Sequence, residues 1–430
     1  MANDPQSETV NRIFIQILGR EATRQEKSQY RLLDQYMLQD TARTILHSER
    51  HNNEKFRTLD DAEKTVKHFG VSLVSPFNKQ CGISTYTENL YKHISIPKSV
   101  VSESCASRGD CVEEKNVNRV WSIGAGDMDL KIIDQARKDG NRIVHIQHEF
   151  GIFNDNDMLF SLISNLKKCG FKVVITMHTI MRTLSFDAYY RIADVIIVHS
   201  EEAASRLYGK GINNLTVVNH GTEEPIDVDF KESIEFVKSM INYELGDVLG
   251  CSVGFISKDK MQEEVLEAAD KASQVNKKLK FLLVGDTGRR SYDDEYMPIL
   301  ERHKGENISV VKKFLSAKEI AMLLDVCDFA VMNYHPTNYS ISGASHLLMT
   351  YGVPSISSDA KILSDLTPGM SLKVKCEDID GIYNAMINMA EDQSMRTSMG
   401  NNAFAAGNST RWDKIAKTHE GIYRSICDAN

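Results

Sequence analysis

The chain opens on apolar residues spaced as on one face of a helix: NRIFIQILGREATRQEKSQYRLLDQYMLQDTARTILHSER carries no alternating or continuous apolar run, with Gly19 as a stop and Thr23 as a cap. From Val71 the texture changes to short, nearly continuous apolar runs, VSLVS, NRVWSIG, NRIVHIQH, KVVITMH, ADVIIVHS and LTVVNHG, separated by helix-prone stretches. Strands that read this way are buried on both faces, which predicts a parallel sheet covered by helices. A charged stretch from Glu223 to Asp247 has no strand run and reads as a connector. The alternation resumes from Leu249 with CSVGFIS, KFLLVGD, ISVVKKF, DFAVMNY and VPSISS, a second unit of the same kind. The helical segment RWDKIAKTHEGIYRSICD closes the chain and is expected to pack back onto the first unit. The fold class that follows is α/β: a small all-α module at 1–60, a Rossmann-like doubly wound parallel-sheet domain at 68–225, a connector at 226–248, a second such domain at 249–410, and a C-terminal helix at 411–430.

Composition narrows the function classes. With 430 residues, 42% hydrophobic and 26% charged, the chain is long enough for two or three domains and has the balance of a globular protein. A net charge of -8 argues against a broad electrostatic grip on nucleic acid. The eight cysteines are scattered, and the nearest pair, Cys105 and Cys111, lacks the spacing of a zinc or redox site, so reduced thiols in the cytoplasm are expected. No apolar run reaches the length that crosses a bilayer, and no charged-then-apolar leader stands at the start. The lysine-bearing segment SNLKKCG leaves peripheral membrane contact open.

Parallel sheets bind ligands at the carboxyl ends of their strands, so polar residues directly after the apolar runs are the chemical candidates. After VSLVS, the loop PFNKQCGISTYTENL contains Asn78 and puts Gly82 at a helix start, where free N–H groups suit an anion and a tight turn is the alternative. His148 and Glu149 end one run and His178 another, while His199, His220 and Gly221 follow two more. In the second unit GFISKDK places Lys258 and Lys260 at a strand mouth, suited to a diphosphate or simply solvated. LLVGDTGRR adds Gly285, Asp286, Gly288 and Arg289, without the glycine fingerprint of a dinucleotide fold. Ser340, Ser342, Gly343, Ala344 and Ser345 stand at a helix start and read either as a phosphate cradle or as an ordinary serine cap.

In this order the motifs resemble the retaining glycosyltransferase family four and its GT-B relatives, from about Val71 to Tyr423. ADVIIVHSEEAASRL leading to VVNHG, GFISKDK for the family's GF-x-x-x-K-G step, and YGVPSISS for its G-x-P-V-I segment carry the resemblance. It implies two Rossmann-like domains facing a cleft and transfer of a sugar from a nucleotide-diphosphate sugar, UDP or GDP, with retention and without a metal or a separate cofactor. His178, Lys260 and His148 are the implied catalytic residues; Gly82, Lys258, Gly285, Asp286, Arg289, Ser340, Ser342, Gly343 and Ala344 would contact the donor, and Asn78 and Glu149 the acceptor. That acceptor is unidentified: a glycan, a lipid-linked glycan, a protein or a modified nucleic acid. The chain departs from the family at Met261, which replaces the glycine after the lysine, at Phe255 or Ile256, which replaces an arginine, and at Tyr339 and Leu347, which replace two glutamates. Some relatives carry a Ser-Gly-Ala loop there, as Ser342-Gly343-Ala344 does. The missing carboxylates make a catalytically inactive nucleotide-sugar-binding or scaffold protein the alternative, with an epimerase acting on the nucleotide sugar behind it. The N-terminal segment, with LGREAT and ILHSER, is similar to a helical module attached to bacterial polysaccharide proteins and is expected to act in docking or acceptor contact.

Overall fold

In the computed structural model the described residues are 10–12, 21–22, 27, 67–79, 81–104, 114–153, 156–181, 188–287, 290–335 and 338–428, with backbone alone at 181, 188–189, 290–292 and 338–340. The helical module expected at 1–60 therefore lies almost wholly outside the described residues. The chain divides into two compact units, one reaching to Asn219 and taking in Ile415–Asn430, the other His220–Lys414.

The first unit is built on a parallel sheet of strands β1 (His68–Val74), β2 (Lys98–Glu103), β3 (Val117–Trp121), β4 (Asn141–His148), β5 (Lys172–Met177), β7 (Val195–Val198) and β8 (Leu215–Val217), with the short strand β6 (Thr179–Met181) following β5. Their spatial order is β3-β2-β1-β4-β5-β7-β8. Every pairing is parallel, as the continuous apolar runs require. Strand β2, KSVVSE, is an addition to the predicted set. Its apolar core is two residues long and flanked by serines, yet four of its six residues are buried because the sheet covers them on both sides. Residues of the C-terminal helix Trp412–Asp428 complete this unit, with Tyr423 and His419 fully buried.

The second unit has β9 (Val248–Val253), β10 (Leu279–Gly285), β11 (Ile308–Lys312), β12 (Phe329–Met332), β14 (Ser355–Ser358) and β15 (Ser371–Val374), with the short β13 (Asn338–Ser340) between β12 and β14 in sequence. The order β11-β10-β9-β12-β14-β15 is that of a doubly wound sheet. Strand β15, SLKV, also escapes the apolar-run reading because Lys373 interrupts it. The stretch expected as a connector forms the helix Phe230–Lys238, capped by the Asp229 carboxylate, which accepts from the backbone N–H groups of Lys231 and Glu232. One face of this helix packs Val237, with Ile241 and Tyr243 beyond it, against Leu282, Val284 and Leu323 in the core of the unit. A charged amphipathic helix on a sheet surface looks like a linker in one dimension, since only its narrow apolar stripe is buried.

Both sheets reverse their strand order beside their first strand, between β1 and β4 in the first unit and between β9 and β12 in the second. At such a reversal the loops leave in opposite directions and open a crevice at the carboxyl ends. Sequence order thus brings the loops after β1, β4, β9 and β12 to the two places where ligands are expected. No described helix is long and apolar enough to cross a membrane.

Candidate functional site

In the second unit the crevice is framed by a close backbone approach. Gly254 follows β9 with φ of 126°, a conformation that side chains rarely adopt, and its carbonyl oxygen would lie 1.7 Å from any Cβ placed on Gly285. Gly285 is thereby explained by packing against the Gly254 backbone. Beyond Gly254 the chain makes the turn Lys258–Lys260, ending on Met261 at φ 45° and ψ 44°. This is the left-handed region, where glycine is cheapest, and it falls on the position where the resembling family has glycine. Met261 holds the conformation with its side chain buried.

The turn aims Lys260 inward and Lys258 outward. Lys258 is exposed and 3.9 Å from Glu295, a surface ion pair of little energetic weight. Lys260 is half-buried, with its Nζ 5.3 Å from the centre of the Tyr334 ring. A Cβ built on Gly254 would sit 3.6 Å from that Nζ and 4.0 Å from the Cβ of Ala344. The lysine after β9 and the first turn of the helix Gly343–Tyr351 therefore meet at Gly254.

Ser342 occupies the N-cap position of that helix but makes no side-chain cap; its hydroxyl turns to Tyr334 Oη at 3.4 Å. The ordinary serine-cap reading thus does not describe this helix start, although the Ser345 N–H does donate to the Ser342 carbonyl at 3.1 Å. Tyr334, absent from the predicted set, is fixed by Ser358, whose hydroxyl accepts from its N–H at 3.0 Å and donates to its carbonyl at 2.8 Å. The preceding residue, Asn333, is buried with neither side-chain amide atom partnered, an expensive arrangement at a strand end unless something polar meets it there. A cation, N–H groups at a positive helix end and an unspent amide together suit a bound anion.

Next to this point lies an apolar cavity of about 90 Å³ lined by Val253, Gly254, Phe255, Gly285, Phe314 and Leu315 among others. Phe255 and Phe314 are exposed for phenylalanines, with ring centres 6.3 Å apart. Asp286 stands on its rim, its carboxylate accepting from the Thr287 N–H at 2.8 Å. Of the remaining donor-contact candidates, Arg289 and the side chain of Ser340 lie outside the described residues. Gly343 is exposed, and a Cβ there would approach His220 Nε2 to 4.0 Å. His220 packs its ring on His346, centres 4.6 Å apart, and His346 in turn bonds the Asp365 carboxylate at 2.8 Å.

In the first unit, Gly82 starts the helix Gly82–His93 with a backbone conformation open to any residue, and a Cβ there would meet nothing within 4 Å. The tight-turn reading of this glycine therefore finds no support, and Gly82 itself is exposed. Asn78 takes the left-handed conformation, φ 54°, fixed by Glu88, which accepts from its N–H at 2.9 Å. Its amide donates to Glu114 at 2.6 Å.

The two strand-end histidines part company. His148 has no exposure, stacks on Phe153 at 5.9 Å and meets the Tyr190 hydroxyl at 3.3 Å. Burial lowers its pKa to about 4. It is an interior histidine whose Nδ1 has no hydrogen-bond partner, and the catalytic expectation attached to it rests on the family resemblance alone. His178 retains 8% exposure and bonds Gln147 at 2.9 Å. Glu149 is half-buried, accepting from Thr179 Oγ1 at 2.8 Å and from the Phe150 N–H at 3.0 Å, and desolvation raises its pKa.

His419, on the C-terminal helix, is likewise pushed down to about 4 by burial. Unfolded histidine titrates near 6.5, so His148 and His419 together bind up to two more protons in the unfolded chain through this window. Their contribution is fully present above pH ~6.5 and is lost as pH falls towards 4, each amounting to about 3 kcal/mol at the extreme. The urea midpoint of the first unit is expected to drop steeply between pH 7 and 4.5, and less so in a His148→Phe variant. Equal pH slopes for the two proteins exclude His148 as a source of the acid lability.

Among the described residues no group of three or more His, Cys, Asp or Glu side chains is arranged to hold a metal ion. No protein-family profile matches the chain, and no curated protein matches it in sequence. Solved structures do. Sucrose-phosphate synthase from Thermosynechococcus elongatus is similar with a TM-score of 0.65 at 15% identity, covering 84% of this chain and 100% of that one. Anabaena HepE in complex with UDP-glucose gives 0.65 at 14% identity over 83% of this chain and all of that one, and a glycosyltransferase from Rickettsia africae 0.67 at 13% over 84% and 99%. At such identities the likeness is one of fold, and with the strand orders above it shows two successive parallel-sheet α/β units of the GT-B type.

Proposed function

We propose that the chain transfers a sugar from a nucleoside diphosphate sugar, with retention, to a glycan, lipid-linked glycan or protein acceptor. The observation that carries this reading is the meeting of Lys260, Gly254 and the first turn at Gly343–Ala344 at the strand-order reversal of the second sheet. Gly254 also lines the cavity beside Phe255 and Phe314. A base held between or against those rings has its diphosphate carried towards Lys260 and the helix N–H groups. As the sugar leaves, negative charge grows on the diphosphate, and fixed cations and dipoles aimed at that charge lower the barrier. HepE, similar in fold, is known in complex with UDP-glucose, which favours uracil as the base here. His178 is assigned to the reacting sugar from the family resemblance, and Asn78 and Glu149 to the acceptor.

Calorimetric titration with UDP-, GDP- and ADP-glucose tests the reading. One of them is expected to bind, and a Phe314→Ala variant to bind it about tenfold more weakly, the lower end of what a base–aromatic contact contributes. Failure of every nucleotide sugar to bind removes the proposal. A second reading, a binding or scaffold protein without turnover, is favoured by Leu347: where the resembling family has a carboxylate, this side chain packs half-buried against the apolar cluster of Leu348 and Met349. Binding without hydrolysis, isomerisation or transfer of the donor selects it.

A further inference from the structure

Five side chains of the first unit form an unbroken hydrogen-bonded file under the carboxyl ends of β4, β5 and β7, and a sixth, Thr176, joins it at His145. Tyr423 Oη lies 2.7 Å from His145 Nδ1, and His145 Nε2 lies 2.7 Å from Thr176 Oγ1 and 3.3 Å from the Gln147 amide nitrogen. The Gln147 amide oxygen is 2.9 Å from His178 Nε2, His178 Nδ1 is 3.4 Å from His199 Nε2, and His199 Nδ1 is 2.9 Å from the Val218 carbonyl. All of these side chains are buried.

Each contact needs one hydrogen, and counting them leaves few choices. The Val218 carbonyl only accepts, so His199 carries its proton on Nδ1 and, when neutral, presents a bare Nε2. The hydrogen between the two rings then belongs to His178 Nδ1. A neutral His178 therefore has a bare Nε2, and Gln147 must turn its NH2 towards it. The amide oxygen then faces His145, which carries its proton on Nε2 and accepts from Tyr423 on Nδ1. With one further proton on the His178–His199 pair, whichever ring holds the charge, His178 Nε2 becomes a donor. Gln147 must now present its oxygen, its NH2 donates to His145 Nε2, and the His145 proton moves to Nδ1. Amide oxygen and nitrogen have nearly the same shape, so both arrangements fit one site, and the Thr176 hydroxyl, 2.7 Å from His145 Nε2, can accept from it in the first and donate to it in the second. Burial keeps His145 itself neutral, holding its pKa well below the ordinary value, so its part is a change of tautomer.

We infer that Gln147 is the positioning residue of His178: rotation of its amide presents a matching group to His178 Nε2 whether that buried strand-end imidazole has taken up one proton or released it. The groups packed around His178 include His199, ring centres 5.3 Å apart, and Tyr86 from the helix Gly82–His93 at 4.7 Å. His419 meets the Tyr86 hydroxyl at 3.5 Å from the C-terminal helix, and Glu149 lies just past β4 with its carboxylate on Thr179 and Phe150. The value of this device for sugar transfer rests on the proposed function; the protonation behaviour does not.

Nitrogen-15 NMR of the histidine-labelled full chain reads it directly. In the wild type His178 is expected as the Nδ1–H tautomer when neutral, and His145 to exchange its protonated nitrogen over the same pH interval in which the His178–His199 pair takes up its proton. Gln147→Glu should raise that midpoint by about one unit or more, and Gln147→Met lower it. A neutral His178 protonated on Nε2, or a His145 tautomer indifferent to the titration, overturns the inference, and neither wild-type measurement depends on a variant folding. Absence of nucleotide-sugar binding alongside the expected titration strikes the sugar-transfer reading alone. If donor turnover is measurable, its pH profile should move with the NMR midpoint in Gln147→Glu, which a merely structural glutamine would not produce.

Discussion

Lys260→Ala is expected to lower turnover of the bound nucleotide sugar by about 10²-fold or more and to leave the second unit folded. Removing one group aimed at developing charge in a water-poor site has effects of that order. Stability should change little, because among the described residues Lys260 has the Tyr334 ring as its neighbour and no ion pair. Lys258→Ala is the control: its lysine is exposed and loosely paired with Glu295, so turnover should stay within a factor of about three. Rates of donor hydrolysis, nucleotide affinity by calorimetry and melting temperature, measured on both variants, separate chemistry from folding. Wild-type rates in Lys260→Ala take the lysine out of the mechanism.

Gly285→Ala should damage the same site by a different route. The added methyl would lie 1.7 Å from the Gly254 carbonyl oxygen and 2.9 Å from its carbon, far inside contact distance. Both neighbours are backbone, so no flexible side chain can yield, and the end of β9 has to move away from β10. A loss of about 3 kcal/mol is expected, the upper part of the overpacking range, with a fall in melting temperature of roughly 6–12 °C for a unit of this size. Nucleotide binding should fall as well, since Gly254 lines the apolar cavity. Gly343→Ala makes the comparison, because its nearest neighbour would be 4.0 Å away. An unchanged melting temperature for Gly285→Ala would mean that the Gly254–Gly285 approach is wrong.

Much of the fold could be read from the chain. Runs such as VSLVS, KVVITMH and KFLLVGD announce strands buried on both faces, and five of the six strands in the second sheet's order coincide with such runs. The exceptions are instructive. KSVVSE and SLKV are strands because the sheet covers them, and their own residues carry too short an apolar signal. The helix Phe230–Lys238 looked like a linker because most of its surface is polar. At the site, Lys260, Gly285 and the segment from Ser342 to Ala344 could be singled out as polar or small residues following apolar runs. Tyr334 and Asn333 follow such a run too, in DFAVMNY, and that position was the available signal for them.

Local pattern determined the elements: periodicity and glycine placement act over a few residues, so the existence of two parallel α/β units is written in the chain itself. What lies beside what was decided only by tertiary structure. His148 and His178 have the same local setting, an imidazole ending an apolar run, yet one is sealed among aromatic rings and the other stays within reach of solvent. Gly254 and Gly285 are separated by a helix and a strand, and their contact exists because β9 and β10 pair in register. The file from Tyr423 to Val218 draws on residues far apart in the chain, and the proton count along it has meaning only once folding has set them end to end. Strand order and burial depend on the whole set of competing contacts, and no window of sequence contains that sum.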